Sequence, residues 1–148
     1  MERIDILCAG KIREKYFREA IAEYEKRLSH YVRLNIIEVA DGPDPKAEAV
    51  RMLEKIPDNA FPITLEIEGD TLSSTGLADK LKDLEVKGVS RIMFVIGGPD
   101  GLHEDVLKRS RYSLSFSKMT FPHPLMRVIL LEQIYRAYRI KSGEPYHK

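Results

Sequence analysis

An apolar run from Ile92 to Ile96 stops at Gly97-Gly98-Pro99-Asp100-Gly101, as a buried strand does when it empties into a tight loop whose bare backbone a ligand can approach. A second loop, Ser117 to Pro124, sets His123 between two prolines and leads directly into the most apolar helix of the chain. The chain ends in Pro145, Tyr146, His147 and Lys148, which bring together a ring that can stack, an imidazole that exchanges a proton near neutral pH, and a cation. The two loops form the expected pocket, and the tail is a candidate for chemistry beside it.

Several chemistries lack their residues. The glycine loop has neither the G-x-G-x-x-G spacing of dinucleotide sites nor the Lys-Ser/Thr of a Walker loop. Four histidines without neighbouring cysteines or paired carboxylates make no metal-ligand pattern. The serines lack the G-x-S-x-G elbow and an obvious base, so a hydrolase triad has little support. A lone Cys8 allows no internal disulfide and no cysteine zinc cluster, which favours a reducing cytoplasm. No apolar stretch approaches the roughly 18 residues needed to span a bilayer, and MERIDILCAGKIREK does not look like a signal peptide. A cytoplasmic protein without a membrane span is expected.

The net charge of +1 hides an asymmetry. From Lys108 onward there are nine Lys or Arg against Glu132 and Glu144, a balance of +7, while the first 107 residues hold 15 basic and 21 acidic side chains, a balance of −6. A polyanion would be met by the C-terminal third. A solvated basic helix face accounts for the same charges.

Alternating elements must position these loops. Ile4, Ile6 and Cys8 predict a first strand ending at Gly10, and Phe17, Ala20, Ile21, Tyr24 and Leu28 predict an amphipathic helix over Arg13 to Tyr31. Leu34 to Val39 reads as a strand, Ala40 to Pro45 as a loop, and Val50, Leu53 and Ile56 as the stripe of a short helix ended by Pro57. Pro62 to Gly69 is a third strand. Ser73 or Ser74 caps a helix carrying Leu77, Leu81 and Leu84 and closed by Gly88. Arg91 to Ile96 is the fourth strand, His103 to Arg109 a short helix, and Tyr112 to Phe116 the fifth strand. The expectation is one α/β domain over residues 1–148, a mostly parallel sheet flanked by helices with ligands at the carboxyl ends of its strands. The closing helix, Leu125 to about Lys141, is apolar over more than half its circumference, leaving Glu132, Arg136 and Arg139 on a narrow face. A second subunit or simple core burial explains so much apolar surface, and the small size of the domain favours a homodimer.

FVIGGPDGL, then SFSKMTFPHPLMRVILLEQIYRAYRI, then GEPYHK together closely resemble the RlmH (YbeA-type) family of SPOUT-class methyltransferases. The match is dense over Arg91 to Lys148 and reaches LEIEG at Leu65 to Gly69. It departs in the middle, where KAEAVRMLEKI follows a shortened loop. The resemblance implies a C-terminal trefoil knot, S-adenosylmethionine as methyl donor, and N3 of a pseudouridine in large-subunit ribosomal RNA as acceptor. It places the cofactor at Leu65, Gly97, Gly98, Ser117, Lys118, Met119, Thr120, Phe121 and Pro122, with no metal needed. Adenine wants backbone amides and carbonyls in an apolar slot, which these loops supply.

N3 of a uracil-type ring is a weak acid, so transfer requires its proton removed or its anion stabilised. Candidates are His147, Arg127, Arg136, Glu132 and Tyr146, with His123 open between a structural and a functional role. The implied partners are ribosomal RNA or the ribosome and a second copy of the chain. A non-catalytic RNA-binding module and an unrelated nucleotide-utilising enzyme are the competing readings.

Overall fold

The computed structural model describes residues 2–145. Five strands, β1 (Arg3–Ala9), β2 (Arg33–Val39), β3 (Phe61–Thr71), β4 (Arg91–Ile96) and β5 (Tyr112–Ser115), alternate with five helices, α1 (Lys15–Leu28), α2 (Pro45–Leu53), α3 (Ser74–Val86), α4 (Glu104–Leu107) and α5 (His123–Lys141). The strands pair in parallel in the order β2-β1-β4-β3-β5. A parallel sheet is covered on both faces. Accordingly β1 is buried from Ile4 to Ala9, not alternately as its sequence suggests, and β4 from Ile92 to Ile96. Asp5, the polar residue inside β1, is fully buried and accepts from Arg3 Nε at 3.1 Å and Arg91 Nε at 2.7 Å.

One face of the sheet packs on α1, α3 and α5 through residues such as Ile21, Leu81, Leu131 and Ile134, and the other on α2 and α4 through Met52 and Val106. Ser73 caps α3, its hydroxyl accepting from the Gly76 amide at 3.0 Å. α2 begins inside the segment read as a loop. Asp44 accepts from the Ala47 amide at 2.8 Å, and Pro45 fills a first-turn position where its missing N–H is no loss. Its buried face is Glu48, Ala49 and Met52, whereas Val50 is 61% exposed, so the expected stripe is corrected.

β3 also differs. Its pairing with β5 passes from Leu65 opposite Leu114 to Asp70 opposite Leu114, so residues 66–69 leave the ladder and return. Gly69 makes the return possible, because a Cβ there would stand 2.7 Å from the Ser113 carbonyl carbon. Gly69→Ala should therefore destabilise the chain by about 1–3 kcal/mol, as overpacking does, which thermal unfolding would measure; an unchanged midpoint would mean that the excursion is not held this tightly.

α5 starts at His123, two residues earlier than expected, since proline is tolerated in a first turn. α1 and α3 of the same chain flank it, and every residue from 123 to 141 is at least partly covered. Much of its apolar surface is thus met within one chain, while Leu125, Val128 and Ile129 stay partly exposed.

Candidate active site

Arg127 shows how the sheet ends are roofed. It is 2% exposed, and its guanidinium donates to Glu38 Oε2 at 2.5 Å and to the Gly10 carbonyl at 3.2 Å, at the ends of β2 and β1. β5 lies three strand positions from β1, about 14 Å. The segment from Phe116 to Pro122 must span that gap, and seven residues reach at most about 24 Å. It therefore crosses the carboxyl ends of β3 and β4.

Beneath this crossing lies a cleft of about 1160 Å³. Its walls come from the β3 excursion (Leu65 to Glu68), the glycine loop (Gly97 to Leu102), the crossing segment (Phe116 and Met119 to Pro122), and Tyr16, Phe17, His123 and Met126. Seven of the nine predicted cofactor positions, Leu65, Gly97, Gly98, Met119, Thr120, Phe121 and Pro122, line it together. Ser117 and Lys118 are not among its walls. Ser117 shapes the loop instead, its hydroxyl accepting from the Met119 amide at 3.0 Å and its carbonyl from Ser115 Oγ at 3.1 Å, while Lys118 is exposed.

The two glycines are not equivalent. A Cβ on Gly97 would come within 2.6 Å of the Gly101 backbone, whereas one on Gly98 would stand 3.1 Å from Glu48 Oε2. Glu48 is itself buried, accepting from the Gly42 amide at 3.2 Å. Backbone meets backbone at the first position and a side chain at the second. Gly97→Ala is therefore expected to collapse the turn and abolish ligand binding, with Gly98→Ala losing at most about tenfold; equal, undiminished binding in both would move the ligand away from this turn.

The predicted acceptor residues do not converge on the cleft. Arg127, expected as a phosphate fork, is corrected to a buried tie whose charge is matched inside the chain. Glu132 and Arg136 pair with each other along α5, Nε to Oε1 at 3.1 Å. Tyr146 and His147 lie outside the described residues. Other C-terminal cations are engaged as well, Arg139 with Glu144 at 2.6 Å and Lys141 with Glu2 and Glu85 at 3.1 and 3.0 Å. Part of the +7 balance thus serves internal pairing rather than an outer basic face.

Electrostatics narrow the remaining roles. Burial, then the Arg127 charge, holds the His123 imidazole below its ordinary 6.5, which favours its neutral form. Burial pushes the Cys8 thiol up to about 12, so no thiolate nucleophile is available there. Because a folded imidazole below its ordinary value binds protons less readily than the unfolded one, stability rises with pH from that lowered value up to about 6.5. His123→Gln should flatten this part of the stability profile in thermal unfolding, and a slope equal to that of the unaltered chain would show His123 to be unperturbed.

Sequence reading missed Glu66, Ile67 and Glu68, Tyr16 and Phe17, and Glu48 behind the glycine loop. Gly69 was the available signal for the first group. Nothing in a helix-spaced pattern marks Tyr16, 66% exposed at the start of α1, as a cleft residue. Among the described residues no group of three or more His, Cys, Asp or Glu could hold a metal ion, and no helix is long and apolar enough to cross a membrane.

A five-stranded parallel sheet with a large cleft beyond its carboxyl ends, walled in part by a glycine loop, is an α/β architecture that holds ligands at the strand ends. The family model "Predicted SPOUT methyltransferase" matches residues 2–147, and the chain belongs to that family. Its members are methyltransferases that generally use S-adenosylmethionine. Among solved structures, a probable methylase family protein from Haemophilus influenzae Rd KW20 shares the fold, with a TM-score of 0.60 over 98% of this chain and 70% of that one at 11% identity.

Proposed function

We propose that the cleft binds S-adenosylmethionine and that the chain methylates N3 of a pseudouridine in large-subunit ribosomal RNA, on the assembled ribosome in the cytoplasm. The single observation that carries the donor half is the convergence of Leu65, Gly97, Gly98 and Met119 to Pro122 on one cleft. The glycine loop in its wall is held tightly turned, since Gly97 packs against the Gly101 backbone, and such a loop presents fixed backbone groups to an adenosine. Bound there, the cofactor supplies a sulfonium methyl, an electrophile whose leaving group is a neutral thioether. The share of the protein is position. Backbone amides and carbonyls would hold the heterocycle, the apolar part of the walls would exclude water from it, and the crossing segment would keep both in register. The trefoil threading belongs to the same reading, and a segment crossing the strand ends is in keeping with it.

The acceptor half rests on the family resemblance and on chain geometry. α5 begins at the cleft and ends at Lys141, beside Glu2, roughly 28 Å away for its 19 residues. Arg139 then fastens the chain there, donating to Glu144 at 2.6 Å and to the Pro145 carbonyl at 3.2 Å. Three further residues reach about 10 Å. On this reading Tyr146 and His147, which lie outside the described residues, serve the cleft of a second copy of the chain, and a homodimer is part of the proposal. His147 is the proposed base, with Tyr146 stacking on the acceptor ring.

Calorimetry with S-adenosylmethionine and its demethylated product tests the donor half. Both should bind the unaltered chain, and a folded chain that binds neither contradicts it. Deleting Tyr146 to Lys148 should leave that affinity within about twofold while transfer to ribosomes falls about 10²–10⁴-fold, the usual worth of a general base. Mixing the deleted chain with the Gly97→Ala chain should restore part of the activity, since each mixed dimer retains one intact pair; no recovery would place the tail in its own chain or outside the chemistry.

A further inference from the structure

α5 ends in a way that fixes how the chain leaves it. Gly143 takes a left-handed backbone, φ 72°, and turns the chain back on the helix, so that its amide donates to the Ile140 carbonyl at 3.0 Å and the Glu144 amide to the Arg139 carbonyl at 2.9 Å. This pair of bonds is the glycine-dependent helix stop, and it sets Glu144 beside Arg139. The Glu144 carboxylate is then held from two elements. Oε2 accepts from Arg139 Nη1 at 2.6 Å, and Oε1 accepts from the hydroxyl of Tyr31, just past the end of α1, at 2.8 Å. The Tyr31 ring is placed in turn by Tyr135 and Tyr138 of α5, with ring centres 6.1 and 6.3 Å away. Arg139 Nη2 reaches one residue further, to the Pro145 carbonyl at 3.2 Å. Both oxygens of one carboxylate and two nitrogens of one guanidinium thus decide where residue 145 sits.

A helix needs none of this to end. The glycine stop already satisfies carbonyls of the last turn, and a partly exposed ion pair adds little stability of its own. What the added bonds do is order Gly143 to Pro145, at a place where chain ends ordinarily fray. Fixing these residues in advance removes their share of the ordering entropy from any event that engages the chain end.

We propose that Glu144 is a positioning residue: held by Arg139 and Tyr31, it aims the chain end so that His147 meets the cleft of the second copy. This rests on the reading of the tail as part of the methyl-transfer site and adds what holds it there. None of the three residues touches donor or acceptor. The effect of Glu144 must therefore pass through the tail, which separates it from a purely structural role.

The test compares the full chain, Glu144→Ala, the chain lacking Tyr146 to Lys148, and the two changes combined, each for methyl transfer to ribosomes and for S-adenosylmethionine affinity. In the full chain Glu144→Ala should lower kcat about ten- to a hundredfold, the order expected when a catalytic group is displaced by about an ångström, with the KM for ribosomes and the donor affinity within about twofold. In the shortened chain the same substitution should change the residual rate by less than about twofold, because nothing is left to aim. Tyr31→Phe removes one hydroxyl and keeps the ring, and it should reproduce the pattern to a smaller degree. An equal loss from Glu144→Ala with and without the tail would make Glu144 a stabilising residue only, and an unchanged kcat in the full chain would show that the tail needs no aiming; either overturns the proposal. Deletion of the tail that by itself leaves the rate unchanged, with the donor still bound, would instead contradict the catalytic reading of the tail, and Glu144 would then have nothing to position.

Discussion

The buried tie between Arg127 and the ends of β1 and β2 sets the form of the whole carboxyl end of the sheet. A guanidinium out of water must have its charge matched, and the carboxylate of Glu38 and the carbonyl of Gly10 do this from two neighbouring strands. With the start of α5 docked there and β5 at the opposite edge, the intervening chain has one course, across the ends of β3 and β4. The crossing turns an open row of strand ends into a roofed cleft. Removing the Arg127 side chain would thus act on ligand binding without touching the ligand.

Everything beneath the crossing is built for close approach. Three glycines serve different ends: Gly69 lets β3 leave and rejoin its ladder, Gly97 allows the tight turn against Gly101, and Gly98 leaves room for the carboxylate of Glu48. Apolar side chains, with Glu14, Glu66, Glu68 and Asp100 among them, complete the walls, and the loop backbone supplies groups that cannot rotate away. A site of this kind discriminates by shape and by fixed dipoles, and it suits a cofactor whose reactivity is already its own.

Much of this was legible in the chain. β4 ends where Gly97 begins because an apolar run of β-branched and aromatic residues gives way to residues without side chains to bury, and the capping role of Ser73 follows from its place before a leucine stripe. What was hidden was long-range. The sequence around Arg127 reads as a basic residue on a helix, a candidate for phosphate, and only the packing of α5 against strand ends 89 and 117 residues away converts it into a buried tie. α2 differs from expectation at both ends, since Pro45 opens the helix behind the Asp44 cap rather than breaking the chain, and the helix closes at Leu53, short of Ile56 and Pro57. The paired states of Arg139 and Lys141 are likewise invisible in a charge count, which treats cations as outward-facing. The tail, Tyr146 to Lys148, was the most suggestive sequence for chemistry, and its role depends on which copy of the cleft it meets.

The most direct measurement is a crystal structure of the full chain grown with the demethylated product of the donor. The adenine should lie under the crossing segment, hydrogen-bonded to backbone groups of Gly97 to Leu102 and Met119 to Pro122. Adenine outside this cleft, on the outer face of α5 or elsewhere, with the cleft filled only by water, would contradict the assignment of the cleft as the donor site.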